Sequence, residues 1–140
     1  MNRSIVVIEQ PIPNARHRTG KGHEYTPTAT LEARHRIRMT WTEQYGFAQE
    51  SGAVELDVQV FLPRPRQHYG TGRNENRLKP SAPARPTGRG DWDNFGKLAS
   101  DALLRVAFND DGQIVDGRVQ KWYADFGEPP RWLIRVSSLS

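Results

Sequence analysis

The sequence predicts an α/β (α+β) domain in which a mixed or antiparallel sheet of about four strands carries two main helices. Three observations predict it. Two segments repeat apolar residues at helical spacing, one segment alternates apolar and polar residues, and the elements run β-α-β, basic loop, α-β-β. At 140 residues the chain suits one domain over 1–140, long enough for a real core. It has no cysteine, which excludes disulfides and thiolate metal sites and suits a reducing compartment. The N-terminal apolar run is too short for a signal peptide and nothing later could span a bilayer, so a soluble cytoplasmic protein is expected. The net charge of +4 favours an acidic partner such as nucleic acid.

Taken in order, Ser4 to Glu9 is β-branched and stopped by Pro11 and Pro13, which predicts a first strand. A polar turn follows with Arg16, His17, Arg18, Lys21 and His23, readable as a solvated loop or as a phosphate-contacting one. Thr26-Pro27-Thr28 then suits a helix start, and Ala33, Ile37, Trp41 and Tyr45 form one buried stripe ending at Gly46. Ala53 to Leu62 alternates: Val54, Leu56, Val58, Val60 and Leu62 face one way, and Glu55, Asp57, Gln59 and Phe61 the other. Asp57 is readable as an exposed strand residue or as one able to reach a metal.

Pro63 to Gly90 breaks this pattern. It is rich in proline and glycine, lacks apolar periodicity, and reads as a flexible basic loop. Arg64, Arg66, Arg73, Arg77, Lys79, Arg85 and Arg89 stand against the single acid Glu75, a net of +6 that leaves −2 for the rest of the chain. This predicts an arm that neutralises phosphates, with His68 and Tyr69 available for stacking, against the blander reading of an inert insertion.

Asp93 or Asn94 then caps a helix expected to run to about Ala107, with Phe95, Leu98, Ala99, Ala102, Leu103 and Val106 on its core face. Lys97 falls opposite that face, four residues from both Asp93 and Asp101, where i,i+4 ion pairs are one reading of it. Asn109-Asp110-Asp111-Gly112 is a turn. Gln113 to Tyr123 and Arg131 to Val136 read as two last strands, expected to pair as a hairpin across Phe126-Gly127-Glu128-Pro129-Pro130.

The chemistry concentrates between Gly90 and Asp116. Asp91 and Asp93 enter the helix, and Asp110 and Asp111 leave it. Clustered carboxylates repel each other, and Mg²⁺ relieves that repulsion while activating water and a phosphoryl oxygen. Lys97 cannot ligate a metal but can stabilise transition-state charge. A helix of this length separates its ends by roughly 20 Å, so the following strand or its neighbour folds back, the turn lies against the entry loop, or a two-fold partner brings one acidic pair to the other. His17, His23, His35 and His68 show no metal-ligand spacing.

The runs D-W-D-N-F-G-K, S-D-A-L and N-D-D-G-Q-I-V-D resemble the signature of the RusA family of Holliday junction resolvases, and P-I-P-N-A-R-H-R with Y-T-P-T-A-T resembles its N-terminal region. The resemblance covers most of the chain. It implies a small homodimeric, Mg²⁺-dependent endonuclease, of a kind frequent in phages and prophages, that nicks four-way DNA junctions symmetrically, with Mn²⁺ as a substitute metal. It places the metal-binding acids on Asp91, Asp93 and Asp111, with Asp110 the alternative to Asp111, and the catalytic lysine on Lys97. Arg16, Arg18, Lys21, Arg64, Arg66, Arg73, Arg77, Lys79, Arg85 and Arg89 are the expected DNA contacts. Gly90 stands where the family commonly has proline, Trp92 where it has a small aliphatic residue, and Gly96 where it has a leucine-like one. Two rival readings are a non-catalytic DNA-binding protein and a metal-dependent nucleotidyl- or glycosyl-transferase using the D-x-D pair; no glycine-rich phosphate loop supports the latter.

Overall fold

The computed structural model describes residues 2–15, 18–20, 23–88 and 90–139, with only the strand course given for 18–20 and 23–25. A four-stranded mixed sheet is built from β1 (Asn2–Val7), β4 (Val54–Leu62), β5 (Ile114–Tyr123) and β6 (Arg131–Ser138), in the order β1-β6-β4-β5. A small separate hairpin joins β2 (Arg18–Gly20) to β3 (His23–Tyr25) in the stretch expected to be a polar turn. Helices α1 (Thr28–Tyr45) and α2 (Trp92–Leu103) contact each other and cover one face of the sheet.

The expected stripe of α1 is buried: Ala33, Ile37 and Trp41 lie in the core. They meet the inward residues of β4, Leu56, Val58 and Val60, and those of β6, Trp132, Ile134 and Val136. From α2 come Phe95, Leu98, Ala99, Ala102 and Leu103, with Phe95 edge-on to Trp132 at 5.9 Å between ring centroids. Full burial of side chains of this size stabilises by about 1.5–3 kcal/mol each.

Three expectations change. The last two strands do not form a hairpin. β6 lies between β1 and β4, antiparallel to both, while β5 pairs parallel with β4 at the sheet edge. The physical reason is burial: β6 carries Trp132, Ile134 and Val136 inward and needs partners on both sides, whereas exposed Asp116, Gly117 and Arg118 suit an edge. Ala124 still donates to Leu62 O at 2.8 Å, so the connection leaves past the end of β4 before β6 turns back.

Second, α2 stops at Leu103 rather than near Ala107. Arg105 takes a left-handed conformation, φ 68°, and donates its N–H to Phe108 O at 2.7 Å. Val106, Ala107 and Phe108 stay fully buried, so the apolar spacing continues through a tight turn that is not helix. Third, Asp57 is not an exposed strand residue. It is 7% exposed, and Arg135 from β6 donates to its Oδ2 at 3.0 Å on the sheet face away from the helices.

β4, α2 and β5 thus form a parallel crossover unit, and α2 runs opposite to both strands. Gly96 is the closest point between helix and edge strand: a Cβ there would lie 2.9 Å from Val119 Cγ2. A leucine-like side chain at Gly96 would push α2 away from β5.

Gly90 holds φ +88°, and a Cβ there would sit 2.7 Å from the Phe95 ring. Proline, fixed near −65°, cannot take this conformation. Gly90→Ala should therefore destabilise the fold by about 1–3 kcal/mol. Gly88→Ala, where a Cβ meets nothing within 4 Å, should change stability by no more than about 0.5 kcal/mol. Urea unfolding of the two variants checks the contrast.

Candidate functional site

Asp91 is the N-cap residue of α2, extended at φ −71°, ψ 142°, and Asp93 lies in the first helical turn. The Asp91 side chain makes no capping hydrogen bond, and its carbonyl accepts from Asn94 N at 3.1 Å. Both carboxylates face solvent, as does Lys97 one turn on. Negative charge is favoured at a helix start, so this placement costs little. The Lys97–Asp101 ion pair, one reading of Lys97, is not present; Arg34 of α1 holds Asp101 at 3.1 Å instead. Among the described residues Lys97 has no ion-pair partner, Asp93 included.

Two contacts hold the helix start, and a third ties them to the helix further along. Asn14 donates its backbone N–H to Asn94 O at 2.9 Å, and its side-chain oxygen accepts from Arg34 at 2.8 Å. The Arg34 guanidinium therefore bridges Asn14 and Asp101, locking α1, α2 and the segment after β1 together. Gly90 packs under the Phe95 ring.

Next to this start lies the basic segment between β4 and α2. It contains two short 3₁₀ turns, Arg66–His68 and Gly72–Asn74, and a bridge between Tyr69 and Leu78. Arg64 stacks over Tyr123 at 4.4 Å and donates to Pro83 O at 2.7 Å. Arg85 stacks over Trp122 at 3.5 Å and donates to Lys121 O at 2.7 Å. Each such stack is worth about 0.5–2 kcal/mol. The segment is thereby fastened to the last third of β5, the part closest to the start of α2. His68 and Tyr69, read as stacking residues, meet Tyr123 and Phe126 edge-on. Arg66 donates to Glu75 O at 3.0 Å. Arg73, Arg77 and Lys79 are exposed. Arg16, Lys21 and Arg89 lie outside the described residues, as does the side chain of Arg18.

The second acidic pair sits at the opposite end of β5. Asp110 caps a 3₁₀ turn, Asp111–Gln113, its Oδ1 accepting from Gly112 N at 3.0 Å. That hydrogen bond, then the neighbouring Asp111 side chain and Arg105, hold the Asp110 carboxyl below its ordinary range against a smaller opposing effect of desolvation. Gln113 fixes the turn with four bonds. Its Oε1 accepts from Asn109 N at 2.8 Å and Asp110 N at 2.9 Å, and its Nε2 donates to Glu50 O at 2.8 Å and Gly52 O at 2.9 Å. Gln113 carried no assigned role in the sequence, yet Asp110-x-x-Gln113 is a capping-box spacing and could have marked it.

Within one chain the two acidic pairs do not meet. Among the described residues no three Asp, Glu or His side chains gather closely enough to hold a metal ion. β5 does fold back beside α2, but it brings Val119 to the level of Gly96. Asp111, eight residues earlier, remains at the far end.

Residues 9–137 match the family described as Endodeoxyribonuclease RusA. The chain belongs to the RusA endodeoxyribonuclease family. A relative described as "Uncharacterized protein YqaN", from Bacillus subtilis (strain 168), is 27% identical over 133 residues, covering 95% of this chain and 91% of its own length. RusA membership accounts for the match of D-W-D-N-F-G-K and N-D-D-G-Q-I-V-D noted above. Among the described residues no helix is long and apolar enough to cross a membrane.

Gln113→Ala should release the acidic turn. Loss of its four bonds should cost roughly 1–3 kcal/mol and speed hydrogen exchange at the Asn109 and Asp110 amides, measured by NMR, while amides of α1 keep their protection.

Proposed function

We propose that this protein is a Mg²⁺-dependent, structure-specific endodeoxyribonuclease that resolves four-way junctions and other branched DNA by paired phosphodiester hydrolysis, acting as a homodimer. One observation carries the reading furthest. Asp91 and Asp93 stand exposed at the start of α2 with Lys97, also exposed, one turn on, beside the surface where the basic segment is fastened. Membership of the RusA family supports the reaction class.

The residues fit the metal. Mg²⁺ keeps several waters and takes one or two carboxylates directly, and the exposed Asp91 and Asp93 would supply them. Asp111 is the proposed third acid ahead of Asp110, whose carboxylate is already engaged by Gly112. When bound, the ion polarises a phosphoryl oxygen and makes an attacking water more acidic. Lys97 would neutralise charge developing on the leaving oxygen. Arg73, Arg77 and Lys79 would neutralise backbone phosphates, and Arg16, Arg18, Lys21, Arg64, Arg66, Arg85 and Arg89 are proposed to add to that field. A homodimer matches a substrate of two-fold symmetry. Mn²⁺ should replace Mg²⁺.

A second reading, a non-catalytic DNA-binding protein, is favoured by the lack of a three-acid cluster among the described residues of one chain. Cleavage of a synthetic four-way junction with and without Mg²⁺ separates the two: metal-dependent nicking supports the nuclease, and salt-sensitive binding without nicking supports the rival.

Two variants sharpen the test. Asp93→Asn should lower nicking by about 10²-fold or more while junction binding by gel shift is retained. Replacing Arg73, Arg77 and Lys79 together by alanine should weaken binding to all sequences alike and reduce the salt slope by about 3.

A further inference from the structure

Several separate stretches of the chain meet around a cavity of about 460 Å³ beside the start of α2. Pro11 and Pro13 come from the segment after β1, Leu62 and Pro63 from the end of β4, and Pro86 from the basic segment. Buried Phe95 of α2 and half-buried Tyr123 at the end of β5 supply aromatic surface. The volume lies within the range of about 300–1,000 Å³ usual for small-ligand sites. Proline has no N–H, so much of this wall offers no main-chain donor. Among the described residues that line it, only Gln10 and Tyr123 have side chains with hydrogen-bonding groups, and none is charged.

Charge gathers around the cavity instead. Lys121 donates from Nζ to Gly88 O, on the wall, at 3.4 Å. Arg64, set between Pro63 and Pro65, lies over the Tyr123 ring at 4.4 Å, and Arg85 directly precedes Pro86. Gly90, also on the wall, directly precedes Asp91, so the cavity abuts the candidate metal site. An apolar hollow with cations around it is the complement of a nucleotide, whose base has flat π-faces and whose phosphate is anionic. We propose that this cavity receives one unpaired base of the DNA strand whose phosphate lies at Asp91 and Asp93, and that this capture distinguishes branched DNA from plain duplex.

The selectivity follows from what it takes to empty a stack. Drawing a base out of a duplex breaks its pairing and stacking, and that cost is least where the base is already unpaired. Bases flanking a branch point come away more readily than those inside an unbroken duplex. Lys121 and Arg64 would hold the neighbouring phosphates. The Gln10 amide can both donate and accept, so it can meet the polar edge of any base, and capture needs no particular sequence. An apolar peptide or a second copy would fill the cavity without using the cations around it, which favours the nucleotide.

This inference rests on the nuclease reading for the role of the acids, but capture is tested without cleavage. In metal-free buffer, a duplex with one bulged nucleotide should bind at least about fivefold more tightly than the fully paired duplex, the lower end of what one stacked base contributes. A bulge lacking only its base keeps the bend and the phosphates, and should lose that gain. A bulged 5-iodouracil should photo-crosslink to the peptide that contains Tyr123. Gly88 offers the blocking variant, because a Cβ there meets nothing within 4 Å and its backbone is not left-handed. Gly88→Phe should fill the cavity from its wall and cut the gain to less than about twofold.

An abasic bulge that binds as well as the base-bearing one overturns the capture, and so does a crosslink confined to other segments. Both measurements use the unmodified protein, so they decide the matter even if Gly88→Phe fails to fold. A folded Gly88→Phe protein that keeps every DNA affinity but sediments differently assigns the cavity to a second copy, and the proposal falls. Junction nicking with Mg²⁺ but no base-dependent affinity overturns the capture and leaves the nuclease reading standing. Base-dependent affinity in a protein that nicks no branched DNA overturns the nuclease reading and leaves the cavity's occupant as proposed.

Discussion

The parallel pairing of β4 with β5 sets the direction of everything between them. Parallel neighbours need a crossover, and α2 is that crossover, so it must run back against both strands. The start of the helix and the turn after it are thereby sent to opposite ends of the sheet. Asp91, Asp93 and Lys97 go to one end and Asp110 and Asp111 to the other, and no rotation of side chains can undo a separation set by strand direction.

Two devices make each end a fixed point. At the helix start, Asn14 holds Asn94 and Gly90 fits beneath Phe95, while Arg34 ties Asn14 to Asp101 further along, so the acidic residues stand on a braced support. At the far turn, Gln113 spends its whole amide on four main-chain groups, two in the turn and two in the segment entering β4. The basic segment is treated similarly. Arg64 and Arg85 lie on Tyr123 and Trp122, which fastens a proline-rich stretch near the acids and leaves Arg73, Arg77 and Lys79 outward. Cations and carboxylates share a neighbourhood because the aromatic end of β5 holds them there.

The helices, the strand at 54–62 and the core stripes were legible in the sequence because apolar spacing reports which face is buried. Ala33, Ile37 and Trp41, and Phe95 through Leu103, are buried as that spacing implies. The same signal misplaced the end of α2, since Val106 to Phe108 are buried in a turn, and spacing records burial rather than φ. It also suggested a hairpin for β5 and β6, which are neighbours in sequence but separated in space by β4. The polar run Asp116-Gly117-Arg118 beside the apolar run in β6 was the available hint, since one suits an edge and the other an interior. Asp57 was misread because alternation gives the face of a strand and says nothing of Arg135 arriving from another strand.

By itself the sequence determined the family, the residue types of the candidate chemistry and the two helices, because motifs and apolar periods are local properties of the chain. The candidate acids were likewise legible as D-x-D and D-D within one motif. Which of them can act together was decided only by tertiary structure. Strand order and direction depend on contacts between residues far apart in the chain, such as Leu62 with Ala124 and Val58 with both Val119 and Ile134. These contacts place Asp91 and Asp93 beside an open strand edge and Asp111 a full strand away from them.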